Sequence, residues 1–203
     1  MQSDPKHLDP ALFTHYPHFL AEEVADRALD RCWLELEWSQ RTIKLFGRQV
    51  MQPRLIAWYG DPEAVYCYSG LKLEPLPWHP LLLELKTHIE DLTGGRFNSV
   101  LANAYRNGRD SMGWHSDDES ELGPQPLIAS LTLGAPRRFL LRPKSRPNNV
   151  RSAAIALSLE HGSLLLMKGD SQQRYQHALP RTRRPVGLRI NLTYRQVSDQ
   201  PPV

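Results

Sequence analysis

The chain has few cysteines, no long apolar run and few acids in its C-terminal half, and each shortage excludes a class of protein. Its two cysteines, Cys32 and Cys67, cannot form a disulfide framework, and their spacing matches no zinc motif. No apolar run approaches the length of a membrane span. The first residues, MQSDPKHLDP, lack the basic and apolar regions of a signal peptide, so we expect a cytoplasmic protein without membrane contact.

Composition indicates a folded, soluble chain. The 203 residues are 40% hydrophobic and 23% charged, which is typical of a globular protein with a sizeable core. The 17 prolines predict many turns and argue against an all-helical bundle.

Charge is distributed unevenly although the formal net charge is only +3. Between Arg137 and Arg195 lysine and arginine are frequent, whereas the only acids are Glu160 and Asp170. Such a surplus suits an anionic partner, nucleic acid first. A solvated basic surface is the alternative, and charge alone does not separate the two.

Helical patterns precede a strand-rich half, which predicts an α+β fold. After an arm at 1–18 that we predict to be irregular, residues 21–38 and 79–95 have helical periodicity, and the second segment has proline near its start and two glycines at its end. After Arg96, seven strand-like runs predict an antiparallel sandwich or closed barrel. The runs are NSVLANAYR, LIASLTLG, RRFLLRP, AAIALSL, SLLLMKG, RYQHALP and GLRINLTYR.

The stretch MGWHSDDESE at 112–121 poses the first chemical question. On a strand, His115 and Asp117 would point to the same face and could bind one metal ion. An H-x-D pair arises readily by chance, so this stretch alone is better explained as a polar turn.

A distant histidine changes that balance. His177 lies in the strand-like run RYQHALP, where antiparallel pairing can bring it beside His115, whereas His161 lies in a probable turn. Two histidines and one carboxylate form the facial triad of non-haem Fe(II) oxygenases. A lone histidine on a strand is more often structural, but the H-x-D partner favours a metal site.

The run RINLTYR at 189–195 supplies a third element. Arg189, Asn191, Thr193 and Arg195 alternate and therefore share one face of a strand. Burying arginines without an anion is costly, and a dicarboxylate co-substrate would match them. The alternative is an edge strand with a solvated face, which is less favoured because the intervening residues already form an apolar face.

The H-x-D pair, His177 and R-x-N-x-T-x-R, in this order along the chain, resemble the motifs of the AlkB family of Fe(II)/2-oxoglutarate-dependent dioxygenases. The resemblance extends from about residue 42 to 196 and is greatest to the DNA-repair branch of that family. PRLIAWYGD, YSGL, NAYRNGRDSMGWHSDDE, PLIASLTLGAPRRF and HALPRT are similar to blocks of that family. The resemblance implies a double-stranded β-helix (jelly-roll) core at about 96–196 with N-terminal helices. It also implies a nucleotide-recognition lid hairpin at about 40–75, within a single dioxygenase domain at 19–203.

The resemblance also implies roles for individual residues. The implied iron ligands are His115, Asp117 and His177. The implied 2-oxoglutarate residues are Asn103, Tyr105, Arg189, Asn191 and Arg195. Of the two arginines, Arg189 is expected to bind the distal carboxylate of the co-substrate and Arg195 to lie near its metal-chelating end.

Six further residues are implied on the substrate side. They are Asp118 and Glu119 beside the target base, Tyr59, Asp61 and Tyr66 in the lid, and Phe46 in a hairpin that meets the duplex. Solvated surface is the alternative for the two acids. Trp58 and Tyr68 are expected to be packing residues, since strands alternate faces.

The implied reaction is oxidative demethylation of N-alkylated bases, such as N1-methyladenine and N3-methylcytosine, in DNA. It uses Fe(II), 2-oxoglutarate and O2, and it releases formaldehyde, succinate and CO2. Alternatives are an RNA demethylase of the same chemistry, a hydroxylase of protein or small molecules, and a non-catalytic nucleic-acid-binding module. The module is disfavoured because all three ligands and both arginines are present. We expect a monomer that binds nucleic acid.

Phe46 carries a testable hypothesis about strand preference. In LFGRQV, it occupies the position where duplex-acting members of the family have an aromatic tip that fills the gap left by a flipped base. A core phenylalanine beside a turn glycine is an equal alternative. We expect Phe46→Ala to slow repair of double-stranded DNA more than repair of single-stranded DNA, measured as demethylation rates. Equal losses on both substrates would refute the hypothesis.

Overall fold

The computed structural model describes residues 8–45, 48–68, 71–144 and 154–198. Its helices are α1 (Glu22–Glu35), α2 (Pro80–Thr93) and the short α3 (Ser171–Arg174). Its first seven strands are β1 (Phe13–Tyr16), β2 (Thr42–Leu45), β3 (Arg48–Met51), β4 (Leu55–Gly60), β5 (Tyr66–Tyr68), β6 (Leu71–Leu73) and β7 (Ser99–Tyr105). The other strands are β8 (Met112–His115), β9 (Ile128–Gly134), β10 (Arg137–Pro143), β11 (Ile155–Leu159), β12 (Ser163–Met167), β13 (Tyr175–Leu179) and β14 (Arg189–Arg195).

Two antiparallel sheets form the core of the molecule. The major sheet has the order β1-β12-β9-β14-β7-β4, and the minor sheet has the order β11-β10-β13-β8. Apolar side chains from both sheets meet in one buried cluster, in which Ile128 and Leu165 of the major sheet pack with Phe139 and Leu157 of the minor sheet. The predicted α+β jelly-roll fold is therefore confirmed.

The two long helices cover the outer face of the major sheet. Helix α2 begins where the His79 side chain accepts a hydrogen bond from the Leu81 amide, and it ends at Gly94, whose φ of 68° only glycine adopts readily. Apolar residues of both helices, among them Cys32 and Leu82, pack against the sheet. This packing fixes which face of each strand is apolar.

Strand β14 follows that division residue by residue. Ile190, Leu192 and Tyr194 belong to the cluster beneath the helices. Because successive side chains of a strand alternate, the intervening Arg189 and Asn191 face the space between the sheets. The inner face of the major sheet therefore carries a row of polar side chains along β14, and the last of them, Arg195, contacts Asp117.

Two predicted regions differ from the structure. Within the arm predicted to be irregular, Phe13–Tyr16 forms β1 and pairs with β12 from Phe13↔Met167 to Tyr16↔Leu164, so that prediction is wrong for these four residues. The sequence signal was weak because FTHY is short and ends a polar stretch. In the predicted lid, β2 pairs with β3 and β5 with β6, but β4 between the hairpins belongs to the major sheet.

No helix in the described ranges is long and apolar enough to cross a membrane.

Candidate active site

His115, Asp117 and His177 converge at one end of the minor sheet. His115 ends β8 and is the direct cross-strand partner of His177 on β13, and the two ring centroids are 4.1 Å apart. Asp117 lies just beyond β8, and its Oδ1 is 3.7 Å from His115 Nε2 and 3.9 Å from His177 Nε2. Two imidazole nitrogens and a carboxylate oxygen within 4.8 Å of one another can bind a single metal ion.

The surroundings of the two histidines suit metal binding. His115 Nδ1 lies 2.9 Å from the Gly113 carbonyl oxygen, so a proton on Nδ1 leaves the Nε2 lone pair for an ion. Burial and the neighbouring His115 lower the pKa of His177 to about 3. His177 is therefore neutral at physiological pH, the form that binds metals. The Phe139 ring packs on His177 at 5.4 Å and fixes its plane.

Asp117 is held in position from two sides. The residue is only 4% exposed, and Arg195 donates to its Oδ2 from Nη2 at 2.7 Å and from Nε at 3.1 Å. The Asp117 backbone amide donates to Gln172 Oε1 at 3.0 Å. Burial alone would raise the pKa of Asp117, but the charge of Arg195 and the nearby histidines outweigh it and lower that pKa well below its usual range. The carboxylate is thus ionised, and its Oδ1 faces the histidines.

Arg189 is a buried charge that no described carboxylate compensates. It is 2% exposed, and its Nη2 donates to Thr132 Oγ1 at 3.0 Å, whereas its buried Nε has no hydrogen-bond partner among the described residues. Burial lowers its pKa to about 10, so the guanidinium remains charged at neutral pH. Its charge lies 5.4 Å from the Tyr105 ring. An orphaned guanidinium donor in the interior fits a bound carboxylate.

The two asparagines expected to bind the co-substrate differ in their hydrogen bonds. Asn103 and Asn191 are direct partners across β7 and β14. Asn191 Nδ2 donates to Ser130 Oγ at 2.8 Å and to the Leu131 carbonyl at 3.1 Å, and its Oδ1 accepts from Thr193. Its amide is therefore occupied within the sheet. Asn103 Oδ1 accepts from Arg54, and no described residue accepts from its Nδ2.

The predicted base-contacting acids line a cleft whose lining includes Gln172, the partner of the Asp117 amide, but none of the three metal-ligand candidates. Asp118 and Glu119 line this cleft of about 210 Å³ together with Gln172. The Asp118 side chain is 53% exposed and accepts from Lys144 Nζ at 2.6 Å. Asp118 therefore has a cationic partner already, and its placement at the cleft edge is compatible with the predicted role.

The predicted lid residues lie at different depths. Tyr59 is buried beneath the helices, where its hydroxyl accepts from the Glu37 amide at 2.8 Å. This contradicts the stacking role predicted for Tyr59, because its side chain points away from the space between the sheets. The Asp61 carboxylate accepts from Trp78 Nε1 at 2.6 Å, which gives it a structural partner. Trp58 packs against the small cluster that contains Leu122, as expected of a packing residue.

The remaining substrate predictions lie outside what the structure describes. Phe46 lies outside the described residues, and for Tyr66 only the backbone, within β5, is described. Conversely, sequence reasoning missed Arg54, Gln172 and Lys144, each of which contacts a predicted site residue. No sequence signal could have identified them, because each is a single polar residue far along the chain from its partner.

The 2OG-Fe(II) oxygenase superfamily matches the chain over residues 12–195. Human alpha-ketoglutarate-dependent dioxygenase alkB homolog 3 is 44% identical over 191 residues, which cover 92% of this chain and 66% of that protein. Human DNA oxidative demethylase ALKBH2 is 40% identical over 188 residues, which cover 90% of this chain and 72% of that protein. The matched part of this chain therefore corresponds to 66% of the length of human alkB homolog 3.

Solved structures show the same fold. The structure of OsALKBH1 superposes with a TM-score of 0.65 at 20% identity, over 94% of this chain and all of that one. A 2OG-Fe(II) oxygenase family oxidoreductase from Burkholderia pseudomallei gives a TM-score of 0.63 at 14% identity, over 95% of this chain and 90% of that one.

Fe(II), 2-oxoglutarate and O2 are the cofactors of this superfamily, and the residues present fit the first two. His115, Asp117 and His177 provide a two-histidine, one-carboxylate ligand set for the metal. Arg189 Nε, which no described residue accepts from, is a buried donor that can bind a carboxylate of the co-substrate. The sequence match, the fold and this donor set agree, and the chain belongs to the AlkB family of the 2OG-Fe(II) oxygenase superfamily.

Proposed function

We propose that this chain is an Fe(II)/2-oxoglutarate-dependent dioxygenase that demethylates N-alkylated bases, such as N1-methyladenine and N3-methylcytosine, in DNA. The observation that carries the proposal is the cluster of His115, Asp117 and His177, together with the buried charge of Arg189, which no described carboxylate compensates. When bound, iron and 2-oxoglutarate supply the oxidising chemistry that, with O2, converts an N-methyl group to formaldehyde and leaves succinate and CO2.

The chain's own part is to fix these groups in one geometry. His115 and His177 sit on paired strands, so their separation is set by the sheet rather than by a loop. Arg195 occupies Asp117 Oδ2 and thereby directs Oδ1 toward the metal position. Arg189 and the Nδ2 of Asn103 are available to bind the co-substrate, and the apolar cluster containing Phe139 limits entry of water behind His177.

The charges around the site support a nucleic-acid substrate. Asp118 and Glu119, which follow Asp117 in the chain, border a cleft where acceptors suit a base that carries a positive charge after N-methylation. A separate cleft of about 590 Å³ is lined by Arg109, Arg181 and Arg183, which suit the phosphates of the backbone. Human ALKBH2, whose name describes a DNA oxidative demethylase, is 40% identical and supports DNA as the substrate.

Formaldehyde release from methylated oligonucleotides tests the proposal. With Fe(II) and 2-oxoglutarate, we expect release from N1-methyladenine in single-stranded or duplex DNA, and none when 2-oxoglutarate is omitted. Release from RNA alone would favour the RNA demethylase instead. Absence of release from all three substrates would contradict the proposal and favour the hydroxylase or the binding module.

A further inference from the structure

We propose that Arg54 is a positioning residue that orients the Asn103 amide toward the co-substrate. The inference deepens the proposed function and rests on it, because it requires that 2-oxoglutarate binds beside Asn103. Arg54 immediately precedes β4, the neighbour of β7, and Ile56 of β4 is the direct cross-strand partner of Asn103. The guanidinium therefore reaches Asn103 from the edge of the major sheet.

Arg54, like Arg189, is a buried guanidinium without an acidic partner in the part of the chain that the structure describes. The residue is 7% exposed, and in the described part of the chain no Asp or Glu oxygen forms an ion pair with it. Its Nε donates instead to Asn103 Oδ1 at 2.7 Å, a short, charge-assisted hydrogen bond. Burial of a charge against a neutral amide is unfavourable for stability alone, which indicates a role beyond stability.

The Arg54 contact determines which way the Asn103 amide faces. The oxygen and nitrogen of an asparagine side chain have nearly the same shape, so hydrogen-bond partners decide their orientation. A guanidinium has only donors, so the Asn103 atom that faces it must be the oxygen. The Nδ2 group then points to the other side as a hydrogen-bond donor that no described residue uses.

The side-chain amide of Asn191 differs from that of Asn103 in its hydrogen bonds. It lies directly opposite Asn103, but Ser130, the Leu131 carbonyl and Thr193 already satisfy its nitrogen and oxygen. Of the two amides, only that of Asn103 keeps an uncommitted donor. Asn103 is thus the amide that can keep the contact with 2-oxoglutarate implied by the family resemblance, and Arg54 holds it in that orientation.

A double-mutant cycle on the whole 203-residue chain tests this coupling. The dissociation constant of 2-oxoglutarate is measured by calorimetry on the Mn(II)-loaded protein, which binds without turnover. Arg54→Met and Asn103→Ala should each weaken binding about tenfold, the loss typical of one hydrogen bond to a charged group. The double variant should bind no more than about twofold worse than Asn103→Ala, because the two residues act through one contact. Losses that multiply to about a hundredfold would overturn the inference.

Two further variants separate a specific loss of 2-oxoglutarate binding from a general loss of folding. Arg106→Met removes an arginine that is paired with Asp110 next to β7, and it should change the dissociation constant less than twofold. Asn103→Asp gives Arg54 a carboxylate, so the protein should melt no lower than the native chain while binding 2-oxoglutarate at least tenfold more weakly. Native affinity in Asn103→Asp overturns the inference. If the native chain itself fails to bind 2-oxoglutarate, the proposed function falls and this inference with it.

Discussion

His115→Ala should abolish demethylation and reduce metal affinity by more than the roughly 10- to 100-fold loss typical of an outer-shell partner. His115 supplies one of three donors, and its cross-strand pairing with His177 leaves no other described histidine, aspartate or glutamate side chain positioned to replace it. Two remaining ligands do not complete the set that non-haem iron requires. Mn(II) titration measures the affinity, and formaldehyde release measures the activity.

The matched control for this prediction is His88→Ala. His88 lies on the exposed face of α2, far from the minor sheet, and the same substitution there should leave both metal affinity and activity unchanged. Both variants should melt close to the native temperature, because His115 is partly exposed and does not belong to the apolar core. Substantial activity in His115→Ala would show that the metal assignment is wrong.

The sequence predicted the fold well because the apolar periods are regular. Helices expected at 21–38 and 79–95 end within a few residues of α1 and α2, and all seven predicted strands are present. The short β1 and the membership of β4 in the major sheet were missed. Neither FTHY nor a single strand between two hairpins carries a local signal for its distant partner strand, which is β12 for β1 and β7 for β4. Only the tertiary structure determines these pairings.

The site was predictable where spacing encodes geometry. Alternation along β14 correctly separated Arg189 from Ile190, because strand period alone assigns the face. Alternation did not give the position of Tyr59. It divides the residues of a strand between two faces, but it does not tell which of the two faces the helices cover. Hydrogen bonds such as Arg54 to Asn103 join residues 49 positions apart, and no pattern in one sequence specifies them.

Arg189→Met should have opposite effects on stability and on co-substrate binding. Without an anion, Arg189 is a buried charge whose Nε no described residue accepts from, and an apolar side chain of similar length removes that cost. We expect the ligand-free variant to gain about 1 kcal/mol in free energy of unfolding. For a chain of this size, that gain raises the melting temperature by about 2–4 °C. Affinity for 2-oxoglutarate should fall by at least about a hundredfold, because charge-assisted hydrogen bonds to its carboxylate are lost.

Thermal melting with and without 2-oxoglutarate separates the two effects in one experiment. At a co-substrate concentration about 100-fold above the dissociation constant, the native protein gains about 2.7 kcal/mol from binding, whereas the variant should gain little. The control Arg138→Met removes an exposed arginine of β10 and should alter neither the ligand-free melting temperature nor its rise on binding. A ligand-free Arg189→Met protein that melts several degrees below the native chain would mean that Arg189 stabilises the fold. Its burial would then be structural, and the carboxylate of 2-oxoglutarate would have to bind elsewhere.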